Sequence, residues 1–457
     1  MTATFTDYAL CTLVELNSAV ILDPLNVALH RMLFTRQHEQ GDELAALAHM
    51  IAAKAIEAHQ TEHNRQSALD LYLVATGYFM KGDYAIAENW YRLVLMLDDS
   101  IAAVYQNMVV IHAYFGRHEE AEICRSRAYQ LQRVFVDPIL NPERQLLILC
   151  VGRTSGNIPY DVLLSAEKSQ RIKYIIDYAT DIEDTQLPHY DLVFNAIGEP
   201  DVAAPLMPRL ERFLNNCNRP VMNHPAAVAR TQRHLLPELM TGIPNVRVAA
   251  CCRVESGAIE RTALSQILAD KQINFPVLVR PIESHGGTGL VKCDDLDSLL
   301  EQMRHILSAC YISSFTEFVS ADGYYRKYRV IYVDRQPYPY HLAISTEWMV
   351  HYYTAKMLEH PWKIVEELLF LQDTSVVLGQ AAMTALCRIG ERLDLDYAGI
   401  DFTLMPDGQI FIFEANATML VHRVNQEGVL AHKNIFVENI ANAFERMQID
   451  LSLTSKI

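Results

Sequence analysis

The chain has 457 residues, too many for one hydrophobic core, and its composition, 50% hydrophobic and 21% charged, is that of a packed globular protein rather than a disordered one. A formal charge of -16 argues against nonspecific nucleic-acid or anionic-membrane binding, because no basic excess offsets phosphate repulsion; anionic ligands have to be met by local cations. Nine scattered cysteines suit neither a disulfide framework nor a paired zinc pattern, residues 1–22 lack a basic leader, and no apolar run reaches the roughly 20 residues of a membrane span, so a soluble protein in a reducing cytoplasm is expected.

The first third is rich in Ala, Leu, Glu and Arg. KGDYAIAE (81–88) aligns with FGRHEEAE (115–122) at an offset of 34, with Gly82 over Gly116, Ala87 over Ala121 and Glu88 over Glu122. A glycine between two helices and a small residue at their closest approach are what a helical hairpin needs. With Val74, Ala75, Tyr78 and Tyr91, residues 68 to about 135 resemble two tetratricopeptide repeats, and the alternative is an irregular helical bundle. Either suits a docking or homodimerisation module for a protein or peptide. An earlier hairpin around Gly41 is out of phase with the period, and the tyrosines Tyr72, Tyr78, Tyr91, Tyr105 and Tyr114 are read as packing.

Prolines at 138 and 142 break the helical register, and the rhythm changes. LLILCVG, RIKYIID, YDLVFNAIG and RPVMNHP are short apolar runs separated by helix-length segments, the pattern of a parallel α/β sheet over 144–225. Ligands of such sheets bind beyond the strands' carboxyl ends, where Asn195, Gly198, Glu199, Asn223 and His224 fall. From 245 the strands read as antiparallel: NVRVAACCRV, FPVLVRP, TEFVS, YRKYRVIYVDRQPYPYHLAIS with a turn at DRQ, and GIDFTLMPDGQIFIFEAN with a turn at PDG. Helices are expected over 294–310 and, as one long amphipathic element, over 361–393.

Chemistry concentrates in two stretches. In the hairpin turned at 406–408, Asp401 and Glu414 approach at the open end, and period-2 alternation puts Asn416 on the face of Glu414. Two carboxylates and an amide are hard-oxygen ligands suited to Mg²⁺. In RPIESHGGTGLVK, Arg280 ends an apolar strand and His285, Gly286, Gly287 and Gly289 follow. A cation on a rigid strand and a nearly side-chain-free loop suit phosphate, the loop offering backbone N–H groups.

This order of features resembles the ATP-grasp superfamily over roughly residues 144–445: VLVRP before SHGGTG, the TEFV segment, the cationic strand YRKYRVIYV, and the terminal Asp401, Glu414 and Asn416. The resemblance implies a multidomain α plus α/β protein: a helical-repeat domain (1–137), a parallel, Rossmann-like pre-ATP-grasp domain (144–225) and an α+β ATP-grasp domain (226–450) hinged near 317–320. It implies that ATP and Mg²⁺ are bound, with Glu317 and Val319 at the adenine and ribose and with Arg233, Arg280 and the glycine loop at phosphate. His285 either touches phosphate or only punctuates the loop. Arg329 is implied to face phosphate and acyl phosphate. Asp401, Glu414 and Asn416 are implied to hold the metal. The chain departs from the family in having arginines at 233 and 280, where lysines are usual, and in following Asn416 with Ala417 and Thr418.

The implied activity joins a carboxylate to an amine, small-molecule or peptide, through an acyl phosphate with release of ADP. Arg423 is then a candidate for a substrate carboxylate or a surface residue. Arg326 and Lys327 are expected to be solvated, His341 and Lys356 lie between the matching blocks, and the segment 345–357 shapes either an acceptor pocket or plain core. The alternative function is a nucleotide-sensing scaffold that has lost turnover and signals through its helical repeats.

Overall fold

The protein is described from a computed structural model that covers residues 8–454 apart from 63–64, 154, 256–258, 283 and 285. It divides into two units at Arg133 and Val134.

The first unit is built of antiparallel helix pairs. Helices Val27–Glu39 and Glu43–Glu62, Arg65–Lys81 and Tyr84–Leu97, and Ala102–Tyr114 and His118–Leu131 pack in turn. The three turns share one device. Gly41, Gly82 and Gly116 all take positive φ, and each glycine N–H and the one after it bond back to carbonyls three and five residues earlier. This is the Schellman arrangement that ends a helix where only glycine escapes a Cβ penalty. The Gly41 hairpin falls out of phase with the 34-residue spacing because the two helices between Gly41 and Gly82 run 20 and 17 residues, against 14 and 13 for those between Gly82 and Gly116.

Ala87 and Ala121, at the expected close approaches, are buried. Of the tyrosines, Tyr91 is buried, with its hydroxyl accepting from Asn107 Nδ2 at 2.6 Å, while Tyr114 is 70% exposed. The aligned Glu88 and Glu122 diverge. Glu88 is buried and accepts from Arg117 (2.7 and 2.9 Å) and Arg92 (2.7 Å), so it ties its hairpin to the next turn; Glu122 makes a local pair with Arg125.

The second unit holds three sheets. Its strands are β1 (Val134–Val136), β2 (Arg144–Cys150), β3 (Ser169–Ile175), β4 (Leu192–Asn195), β5 (Val221–Met222), β6 (Val246–Val248), β7 (Cys251–Val254), β8 (Val277–Pro281), β9 (Val291–Cys293), β10 (Cys310–Ser314), β11 (Tyr325–Val333), β12 (Gln336–Ser345), β13 (Tyr397–Leu404) and β14 (Ile410–Asn416). In the first sheet, ordered β1-β3-β2-β4-β5, the strands from β2 onward pair in parallel and β1 adds an antiparallel edge. Burial on both faces explains the unbroken apolar runs of β2 and β4. The second sheet, β7-β10-β8-β9, is antiparallel. The third is ordered β12-β11-β13-β14-β6, with β6 parallel to β14 and the rest antiparallel. Only Ala249 and Ala250 separate β6 from β7, so the chain steps from one sheet to the next within two residues.

Asn223 joins the parallel sheet to the third sheet. At φ 55° its side chain mimics a strand rung: Oδ1 accepts from Tyr397 N at 2.7 Å and Nδ2 donates to Tyr397 O at 2.9 Å. Its backbone N–H donates to Asp396, and its carbonyl accepts from Asn195 Nδ2. Both asparagines are fully buried and serve this junction rather than a ligand, a correction to reading them from their place beyond the strand ends.

Two further expectations are corrected. The segment TEFVS is not a strand, since β10 stops at Ser314. The helix over 361–393 is three: Pro361–Gln372, Thr374–Leu378 and Gln380–Leu393. Asp373 caps the second, accepting from Val376 N, and Gly379 at φ 80° turns the chain into the third. The β11–β12 turn places Asp334 and Arg335 both at positive φ, a type I′ geometry usually given to Asn-Gly. Here Arg335 is held by Asp334, Asp394 and Asp396 at 2.8–3.0 Å. No helix among the described residues is long and apolar enough to cross a membrane.

Burial works against the charge of Glu88, but Arg117 and Arg92 outweigh it and hold the carboxyl at about 2. A folded-state pKa below the unfolded value gives stability that is present above about pH 4.5 and lost as pH falls toward about 2. Glu88→Gln should therefore cost the helical unit about 3 kcal/mol at pH 7 in urea unfolding, and the gap to wild type should close on acidification; a constant gap would contradict the assignment.

Candidate active site: a cleft between two sheets

The second and third sheets face each other across a cleft that is lined by residues from both. Its floor is a row of charges. In strand register Arg329 lies opposite Asp401 and Asp401 opposite Glu414, so one line crosses β11, β13 and β14. His341, opposite Arg329 on β12, is outside the lining, and burial pushes its pKa well down. A bulge in β14 at Phe413 makes this possible. It restores pairing between the buried Phe402 and Ile412 while leaving Asp401 and Glu414 paired.

Asp401, 2% exposed, meets Arg329 through two parallel bonds of 2.6 and 2.8 Å. Lys327 Nζ lies 3.2 Å from its second oxygen. Burial disfavours this carboxylate's charge, and Arg329 and Lys327 outweigh burial, holding its pKa far below the usual range. Lys327 is therefore part of the site, not solvated, because residues two apart on a strand share a face and Arg329 already points inward. Arg326 is not solvated either: it pairs with Asp322 at 2.8 Å and with Glu366.

Glu414 bonds Arg233, and Arg280 Nη1 lies 3.9 Å from the same oxygen. Burial again opposes its charge, and with the arginines prevailing the carboxyl sits at about 2. Arg280 is lowered to about 10 by burial and by Arg233. It also ties back to its own loop, donating from Nε to Ser284 Oγ at 3.1 Å and to the Ser284 carbonyl. Beyond the end of β4, Glu199 is 8% exposed, and burial pushes it up to about 7 against the pull of Arg233.

Arg233, Arg280, Gly286, Gly287, Arg329, Asp401 and Glu414 thus line one cleft. Gly289 stands behind the loop, where an added Cβ would meet Pro281 Cδ at 3.0 Å. His285 lies outside the described residues. Asn416 is 8% exposed and its amide oxygen accepts from Thr418 at 3.1 Å; it does not line the cleft. Glu317 and Val319 flank the cleft-lining Phe318, and the Glu317 carboxylate takes both the Phe318 and Val319 N–H groups. Arg423 lies half-exposed outside the lining, paired with Glu438 at 2.7 Å.

Of the segment 345–357, Trp348, Met349, Val350 and His351 line the cleft, whereas sequence reasoning missed Phe315 and Phe411, because nothing in a hydrophobic run announces which side chains face a cavity. Lys327 was findable from strand alternation alone. Among the described residues no three His, Cys, Asp or Glu side chains converge as a ready metal cage. Asp401 and Glu414, hard oxygen donors on facing strands, fit in kind a cation that keeps most of its water and phosphate ligands. The four cations around them fit a polyphosphate.

No protein-family model matches the chain, and no curated protein matches it. Among solved structures, the D-alanine–D-alanine ligase of Bacillus anthracis complexed with ATP is similar over 68% of this chain and 98% of its own, at 13% identity and a TM-score of 0.41. The D-alanine–D-alanine ligase of Coxiella burnetii is similar over the same shares at 11% identity and 0.38. The ATP-grasp ligase PsnB, complexed with a phosphomimetic variant of its minimal precursor, Mg and ADP, is similar over 67% of this chain and 100% of its own at 14% identity and 0.38.

A buried pair that loses one member strands the other's charge. Arg329→Met should destabilise the second unit by about 3 kcal/mol in urea unfolding, and adding Asp401→Asn should recover part of that loss. Equal stability of the single and double variants would show that Lys327 alone neutralises Asp401.

Proposed function

We propose that the cleft binds ATP and that the protein is an ATP-grasp carboxylate–amine ligase that releases ADP. The observation that carries this reading is the convergence, in one cleft, of two facing carboxylates, four cations and the side-chain-free turn at Gly286 and Gly287. Such a set is costly in a buried site without an anionic, metal-bearing ligand to use it. The apolar wall beside it suits a nucleotide base, and backbone N–H groups of the glycine turn suit the outer phosphates.

In this mechanism a substrate carboxylate oxygen attacks the γ-phosphorus of ATP, the bond from that phosphorus to the β,γ-bridging oxygen breaks, and ADP leaves. The amine then attacks the acyl carbon, a proton is lost from nitrogen, and phosphate departs. Arg280, Arg233 and Arg329 offset the charge of the transferring group, and Lys327 adds a point charge beside it. Asp401 and Glu414 are the residues that would hold Mg²⁺, whose charge would offset that of the phosphate oxygens; Asn416, outside the cleft lining with its amide oxygen on Thr418, is not among them. No protein nucleophile is required. The helical unit is proposed as the surface that recruits a peptide, a partner protein or a second copy.

One observation favours a non-catalytic nucleotide scaffold instead: both carboxylates are already engaged by arginine. Turnover separates the two readings. With Mg²⁺-ATP and a panel of carboxylates and amines, wild type should release ADP for a matching pair, and Glu414→Ala should reduce that by at least about 100-fold. ATP binding without ADP release across the panel would favour the scaffold.

A further inference from the structure

The loop that follows β12 lines the same cleft as the glycine turn, and the two meet. Gly286, Gly287 and Gly289 take φ of 61°, 81° and 69°. A Cβ added at Gly286 would stand 3.4 Å from His351 Nε2, and one at Gly287 would stand 3.4 Å from Met349 Sδ. Trp348 packs edge-on against Phe315 at 5.5 Å, and Lys292 Nζ lies 4.0 Å from the centre of that ring.

Behind this contact the loop is anchored at several points. Lys363, 3% exposed, donates to the carbonyls of Ile344 and Ala355 at 2.8 Å each and so clamps both ends of the loop together. The His351 carbonyl accepts from Ala355 N at 2.9 Å and Thr354 N at 3.1 Å. The neighbouring Tyr352 donates to Glu367, which is fully buried and also accepts from Lys433 at 2.8 Å and from Leu342 N at 3.2 Å. A network with every member satisfied is rigid.

We propose that residues 346–356 form a preset dock rather than a lid, and that His351 is its positioning residue, holding the glycine turn over the phosphates. This rests on the nucleotide reading above. Met349 supports the same turn one residue on, and Glu367 acts at a distance by fixing Tyr352.

Titration of the full-length protein with Mg²⁺-ATP tests this. His351→Ala should raise the Kd about tenfold with an unchanged melting temperature, His351→Gln, which keeps a planar polar group of similar reach, should recover most of that, and Tyr352→Phe should raise the Kd while lowering the melting temperature. Should His351→Ala fail to fold, Met349→Ala carries the same expectation. Wild-type binding with an unchanged Kd for a folded His351→Ala overturns the dock alone. Failure of the wild type to bind Mg²⁺-ATP overturns the nucleotide reading, and the dock with it.

Discussion

A carboxylate that is 2% exposed, in the middle of a five-stranded sheet, is tolerable only if opposite charge reaches it from within the fold. Asp401 is met by Arg329 from the adjacent strand and by Lys327 two residues before it, and Glu414 on the other side is met by Arg233 and Arg280 from outside the β11–β13–β14 ladder. The rest of the second unit is arranged to make this possible. The Phe413 bulge aligns the carboxylates, β8 brings Arg280 from the facing sheet, and the turn after Pro225–Ala229 brings Arg233.

Such an arrangement stores electrostatic potential in a place where it is directed at the cleft. The arginines are partly neutralised by carboxylates and partly available, and the carboxylates remain ionised through the whole physiological range because their pKa values lie so low. On the proposed reading an entering polyphosphate and its cation exchange partners with groups already in place, so little side-chain reorganisation is needed. The Asn223 junction has a matching structural role. By imitating a strand rung it locks the parallel sheet to β13, the strand that carries Asp401.

The helical unit shows how equivalent sequence positions separate once packing is considered. Glu88 and Glu122 occupy matching places in the repeat, yet only Glu88 has a following turn whose arginine can reach back to it. The repeating turns were legible because a glycine at positive φ is a local requirement. The lengths of helices Glu43–Glu62 and Arg65–Lys81 were not, and they are what takes Gly41 out of phase.

What the amino-acid sequence settled by itself was set by short-range physics. Apolar runs on both faces gave the parallel strands, the turn at 406–408 paired Asp401 with Glu414, and glycine spacing marked the helical turns and the loop after Arg280. Strand alternation also held the place of Lys327, had it been followed. What tertiary structure decided concerns partners distant in the chain. Arg423 turns to Glu438, the asparagines at the ends of β4 and β5 become a junction, Arg326 finds Glu366, and His351 comes to rest against Gly286. None of these follows from a local pattern, because each depends on which of several reachable charges or surfaces the packing of whole sheets brings within a few ångströms, and that choice is made by the fold as a unit.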